Sequence, residues 1–289
     1  MTPESAISRA RREFHADLLR NVIRVTPDGR PNYADKDSAL STAIAGDILQ
    51  QLGTGTEGTI SGQAAGAEFE RACERFLNGV FPLLAHLRPG PWIIDRTGPV
   101  SRQAAQGIAK FEQYEHLVAL KEATEGGGPL AAAIGADYLI KPDVMVYRQP
   151  LDDTEINTLK RLVDGETTTH SGLRKANQPH AMLHASVSCK WTIRSDRSQN
   201  ARAEALNLMR NRKGRVPHAV LITAEPLPSR IASIALGTGD LDCVYHFALY
   251  ELREAVHTHG NEDSVEMLTT MVDGKRLKDI SDLPLDLAV

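Results

Sequence analysis

The stretch Ser186-Val-Ser-Cys-Lys-Trp-Thr-Ile-Arg-Ser-Asp-Arg197 holds the densest set of residues suited to chemistry on a phosphate. Side chains of a strand alternate between its faces. Ser186, Ser188, Lys190 and Thr192 therefore share one face, and Ala185, Val187, Cys189, Trp191 and Ile193 share the other. The second set is apolar and belongs to a core, which sets Lys190 on the opposite face. Upstream, Pro142-Asp143 opens the apolar run Val144-Met-Val-Tyr147. A carboxylate in a buried strand needs a cationic partner or a metal, because an unpaired buried charge is costly. Asp143 and Lys190 on neighbouring strands form either a plain salt bridge or a reactive site. In the second case the carboxylate holds Mg²⁺, which prefers oxygen ligands and keeps several waters. The ammonium then faces a phosphate. Metal-bound water is a strong nucleophile, so this arrangement suits phosphodiester hydrolysis.

The elements that must position these residues follow from periodicity. Ile7, Phe14, Leu18 and Val22 recur at helical spacing. A second helix is predicted over 37–52, closed by Gly53, and a third over 63–87 with Phe69, Cys73, Phe76, Leu77 and Val80 as its stripe. Residues 102–124 read as a further helix. Strands are predicted over 138–148, with Asp143 inside, over 184–193 and over 219–223. Residues 149–180 are polar and turn-rich, with a helical patch near 156–163. Helices are predicted over 198–212 and 244–257. A helical N-terminal part followed by strand, strand, helix and strand gives an α/β class, a mixed central sheet flanked by helices. The 289 residues suit a single domain over the whole chain, 1–289.

Composition narrows the function classes. No run approaches the roughly 18 uninterrupted apolar residues of a membrane span, and the first residues lack the basic head and apolar run of a signal peptide. A prokaryotic cytoplasmic location is expected. Cys73, Cys189 and Cys243 are widely spaced and form no zinc motif. The ten histidines form no metal pattern either. The formal net charge of −4 argues against a uniformly basic nucleic-acid binder, but the positive charge is local. Between Lys190 and Arg215 stand eight Lys or Arg and only two acids, Asp196 and Glu204.

PD followed by (D/E)xK is the signature of a nuclease class, and here Ser188 stands where the acid is usual. Ser188-Cys189-Lys190 followed by Arg194-Ser-Asp196-Arg197 resembles the NgoMIV family of type II restriction endonucleases, which read CCGG cores. In that family the missing acid comes from the next helix, at the position of Glu204. A Gly-x-x-Phe-Glu pattern supplies a second glutamate, matched by Gly66-Ala-Glu-Phe-Glu70, with Glu68 and Glu74 as lesser candidates. The resemblance implies a restriction-endonuclease-like core with Ser188 in the catalytic set. It implies Mg²⁺ held by Asp143 and the Cys189 backbone carbonyl, with Glu70 and Glu204 nearer the outer shell. The Cys189 side chain is read as core packing.

Arg194, Asp196 and Arg197 have the chemistry of a G·C reader. Arginine donates two hydrogen bonds to guanine O6 and N7, and aspartate accepts from cytosine N4. A surface ion network is the alternative. The resemblance extends to Arg230, in Pro226-Leu-Pro-Ser-Arg230, as a major-groove contact, and to Gln63 as a minor-groove contact. Together they imply cleavage of double-stranded DNA at GCCGGC. Arg202, Arg210, Arg212, Lys213 and Arg215 are candidate phosphate contacts. A palindromic target requires a twofold-symmetric protein, hence a homodimer, and the resemblance implies a homotetramer, a dimer of dimers. Two other readings stay open: a repair or junction nuclease of the same fold, and a non-catalytic DNA-binding protein.

Overall fold

The structure, a computed structural model, describes residues 3–96, 104–117, 141–193, 195–237 and 239–289, with only the backbone at 104–106 and 195–199. Six strands form the main sheet in the order β1 (Trp92–Arg96), β2 (Val144–Arg148), β3 (Met182–Lys190), β4 (His218–Thr223), β5 (Cys243–His246) and β6 (Leu277–Asp279). β1 and β2 run antiparallel, whereas β4, β5 and β6 pair in parallel. The sheet is therefore mixed, as the sequence predicts. The chain divides into two compact units, one comprising Met1–Pro89, Val187–Ala205 and His218–Val289 and the other Gly90–Ser186 and Leu206–Pro217.

In the first unit three helices open the chain. α1 (Ala6–Asn21) is capped by Ser5, α2 (Ala39–Leu52) by Ser38 and α3 (Gly62–Val80) by Ser61, each hydroxyl accepting an N–H three residues on. Gly53 ends α2 at φ 137°, a conformation that side chains rarely adopt. α3 stops seven residues short of the predicted end. Pro82 has no N–H to continue the ladder, and the chain tightens into a 3-10 turn over Phe81–Leu84. α1 packs on α3 through Phe14, whose ring centroid lies 5.6 Å from that of Phe76. Further on come α4 (Ser195–Arg210), α5 (Pro228–Ala235), α6 (Leu249–His259) and α7 (Glu262–Asp273).

The predicted helix over 244–257 is corrected. Cys243–His246 is a fully buried strand between β4 and β6, and helix begins only at Leu249. A short apolar run bears no period that separates a buried strand from a buried helix. The single apolar face expected of β3 is corrected as well. Ala185, Val187 and Cys189 are buried, but so are His184 and Ser188 on the alternate face, at 8% exposure each. β3 stands third among six strands, and interior strands are covered on both sides.

The second unit departs further from expectation. β1 is not among the predicted strands, although Trp92-Ile-Ile94 is a β-favouring run, and the described part of 102–124 forms 3-10 turns, Ala104–Lys110 and Glu112–Tyr114, interrupted at Gly107 with φ 50°. Residues 118–124, and 138–140 at the start of the predicted strand, lie outside the described residues. In the loop after β2 the short helix is Asp153–Ile156 rather than 156–163. Arg174 closes that loop, its guanidinium bonding Asp153 at 2.9 and 2.6 Å and the carbonyls of Asp164 and Thr167 at 2.8 and 2.9 Å.

Candidate active site

Lys190 is the last residue of β3 and is half-buried. The residue after it is a structural anchor. Trp191 sits in an aromatic cluster, with ring centroids 5.1 Å from Phe69, 5.5 Å from Tyr33 and 6.3 Å from Phe247. Offset and tilted ring pairs at such distances add to the burial they provide. The Phe69–Trp191 contact brings α3 to the end of β3. Glu70 and Lys190, each one residue from that contact, thus belong to the same corner of the first unit. Glu70 and Glu68 are both half-buried, and Glu68 pairs with Arg71 along the helix.

Glu204 lies on α4 beside the buried stripe Ala201, Ala205 and Leu208, and is half-buried. Asp143 belongs to the second unit. It immediately precedes β2 instead of lying within it, and is half-buried where the sequence predicts a buried strand position. The Cys189 thiol is buried and unoxidised, in keeping with a packing role. Ser188 is buried one residue earlier.

Among the described residues, no three His, Cys, Asp or Glu side chains gather into a metal-binding group. Magnesium takes one or two carboxylates and fills the rest of its shell with water and phosphate. The sequence-predicted donors are oxygens throughout, and the one sulfur nearby is packed in the core. The donor set fits a hard divalent cation.

Beyond Lys190 the chain enters a cleft of about 1070 Å³, lined by Thr26, Arg30–Asp37, Gly62, Trp191–Ile193, Ser229, Arg230 and Ser233. Arg230 reaches it from the first turn of α5. Its guanidinium bonds the Asp35 carboxylate, and its Nη1 lies 3.8 Å from Glu225 Oε1. Glu225, at 1% exposure, accepts N–H bonds from Ile193 at 2.9 Å and Leu227 at 3.2 Å. Burial pushes its carboxyl up to about 7, against the pull of the Ile193 N–H and Arg230. Gln63 is exposed in the first turn of α3, next to Gly62 of the cleft. Arg194 lies outside the described residues, and of Asp196 and Arg197 only the backbone is described, as the first turn of α4.

Several predicted phosphate contacts are already engaged. Arg202 donates to the Ser233 carbonyl and packs so closely on Gly237 that any side chain there would collide with it. Arg212 bonds the Met209 carbonyl at 2.5 Å, and Lys213 pairs with Glu115 and Glu112. Arg210 and Arg215 are exposed. Asp35 and Glu225 are functional candidates that sequence reasoning does not single out. For Glu225 a signal exists: an acid two residues after a buried strand, followed by Pro226 and Pro228, which leave Leu227 as the next backbone donor.

The sequence model of the NgoMIV restriction enzyme family matches residues 14–289. The chain belongs to that family. Among its relatives, the type II restriction enzyme NgoMIV of Neisseria gonorrhoeae is 50% identical over 284 residues, which cover 98% of each chain. The protein is accordingly a type II restriction endonuclease, an enzyme of site-specific DNA cleavage. The repair-nuclease and non-catalytic readings fall away. The match also takes in the last sixty residues, in which no motif is legible. They supply β5, α6, α7 and β6. Among the described residues no helix is long and apolar enough to cross a membrane.

Proposed function

We propose that this endonuclease uses Mg²⁺ and cuts the palindrome GCCGGC. The observation that carries this reading is the cleft itself. The strand exit that follows Lys190 and the helix turn that bears Arg230 line one cavity, so a duplex seated there meets Arg230 beside the end of the strand that carries Lys190. Asp143 and the Cys189 carbonyl would hold the cation, with Glu70 and Glu204 ordering its outer shell. When bound, the metal lowers the pKa of its water and offsets charge on the phosphate. Lys190 presents an ammonium that stabilises the added charge as water attacks in line. Ser188, in the usual acid position, leaves that carboxylate to be supplied by Glu204.

Arg194, Asp196 and Arg197 read the CCGG core, Arg230 contacts the outer guanine in the major groove, and Gln63 reaches the minor groove. The palindrome calls for a homodimer, and family resemblance supports a dimer of dimers. The whole chain serves as one restriction-endonuclease-like domain, acting on DNA in a prokaryotic cytoplasm. Asp143→Ala and Lys190→Ala test the site. Each abolishes cleavage of a GCCGGC plasmid while gel-shift affinity for the specific duplex, measured without metal, stays within a few-fold of wild type. Retained cleavage in either variant sinks the assignment of that residue.

A further inference from the structure

Glu225 belongs to neither the cutting set nor the reading set, yet its carboxylate joins two segments far apart in the chain. One oxygen accepts the N–H of Ile193 and the other the N–H of Leu227, at 2.9 and 3.2 Å. Ile193 is the residue before Arg194, and Leu227 is the cap residue of the helix that carries Arg230. The same oxygen that holds Leu227 faces Arg230 Nη1 at 3.8 Å. The group is itself held from behind. Its N–H donates to Thr223 Oγ1 at 3.1 Å, and its carbonyl pairs with His246 Nε2 at 3.2 Å. A second tie runs between the same elements, where Arg202 of α4 grips the Ser233 carbonyl of α5.

We propose that Glu225 is a positioning residue for sequence recognition, fixing the register between the strand exit that leads to the core-reading segment and the helix that carries the outer-pair reader Arg230. The inference rests on the assignment of Arg230 to the outer base pair. Two well-placed reading groups discriminate jointly only if their spacing matches the base-pair step, and bidentate contacts tolerate little displacement. A buried carboxylate shared by both segments is a direct link that sets this spacing.

The link depends on charge. An ionised carboxylate accepts at both oxygens, whereas a protonated one donates from one of them. Protonation would therefore weaken the hold on one backbone N–H and remove the charge that faces Arg230. Among the described residues, the charged groups that face Glu225 are Arg230 and Asp35, and His246 behind it is kept neutral by burial, which pushes its imidazole down to about 4. With its carboxyl pushed up to about 7, Glu225 changes state within the working range of an enzyme.

The test compares cleavage of a GCCGGC duplex with that of ACCGGT, at pH 6 to 8.5, and takes the ratio of rates so that pH effects on the chemical step cancel. In wild type the ratio should rise as pH passes through 7. In Glu225→Gln, whose amide opposes one N–H with another at every pH, the ratio should be flat with pH. At pH 8 it should be roughly tenfold lower, the discrimination that one bidentate arginine–guanine pairing supplies. Glu225→Asp, which keeps the charge, should restore the pH dependence in part. A wild-type ratio that is high but flat with pH, or a Glu225→Gln ratio equal to wild type, overturns the positioning role alone. Equal cleavage of both duplexes by wild type overturns the outer-pair assignment and this inference with it. The wild-type profile decides the matter even if the glutamine variant does not fold.

Discussion

Arg230→Ala separates base reading from phosphate holding at the cleft. In the free protein the Arg230 guanidinium, one-third exposed, is bound to Asp35 at 22% exposure. A partly exposed pair of this kind is worth roughly 0–1 kcal/mol, so Arg230 is oriented by Asp35 at little energetic cost to its release. A bidentate contact to guanine is worth about 1–3 kcal/mol. At the middle of these ranges the net gain on binding is about 1.5 kcal/mol per half-site once the Asp35 pair is given up. Two half-sites in a palindrome double it to about 3 kcal/mol, which corresponds to about 150-fold in affinity. The variant leaves Glu225 without its cation, but a carboxyl already near 7 takes up a proton instead of remaining charged and unpaired, so the fold should survive. The assay is a gel shift at fixed salt without metal, on GCCGGC and ACCGGT duplexes. Arg230→Ala should lose that factor on the first and bind the two nearly alike. An equal loss on both duplexes would show that Arg230 holds phosphate and reads nothing.

Other outcomes follow from groups outside the cleft. Arg11 donates to the fully buried Asp279 at 2.9 Å twice and to Glu251 at 3.0 and 2.6 Å. Arg11→Met should cost about 3–5 kcal/mol, as for any buried pair broken on one side, read as a drop in Tm. Burial alone would raise both carboxyls, but the Arg11 bonds hold them below the usual carboxylate range. Their stabilisation is thus full above about pH 4.5 and is lost as pH falls further, so the Tm gap between wild type and variant should narrow from pH 7 to pH 3. A constant gap contradicts the pairing. Arg202→Ala should lower Tm yet leave the salt slope of DNA binding unchanged, because its guanidinium is committed to Ser233; a shallower slope would return it to the phosphate contacts.

The legible parts of the molecule are those whose causes are local. α1, α2, the start of α3, β3 and β4 follow from repeating apolar positions and serine caps within a few residues of the elements they begin. The place of Lys190 at the end of β3 is legible for the same reason, whereas Glu70 is singled out only by the family pattern Gly-x-x-Phe-Glu. What escapes a sequence reading depends on partners distant in the chain. Glu225 meets Ile193 across 32 positions and Arg230 meets Asp35 across 195, and neither pairing leaves a mark on the neighbouring residues. β5 reads as helix because its four buried residues owe their conformation to the strands on either side. Asp143 falls one step short of the strand, since ladder pairing begins only at Val144, which partners Arg96 of β1.

Sequencing the ends of a plasmid digested with Mg²⁺ bears most directly on the central claim. Every product should terminate within a GCCGGC site, and a plasmid lacking that hexamer should remain intact. Ends scattered over unrelated sequences, or clean cutting at CCGG sites regardless of the flanking pair, would contradict it.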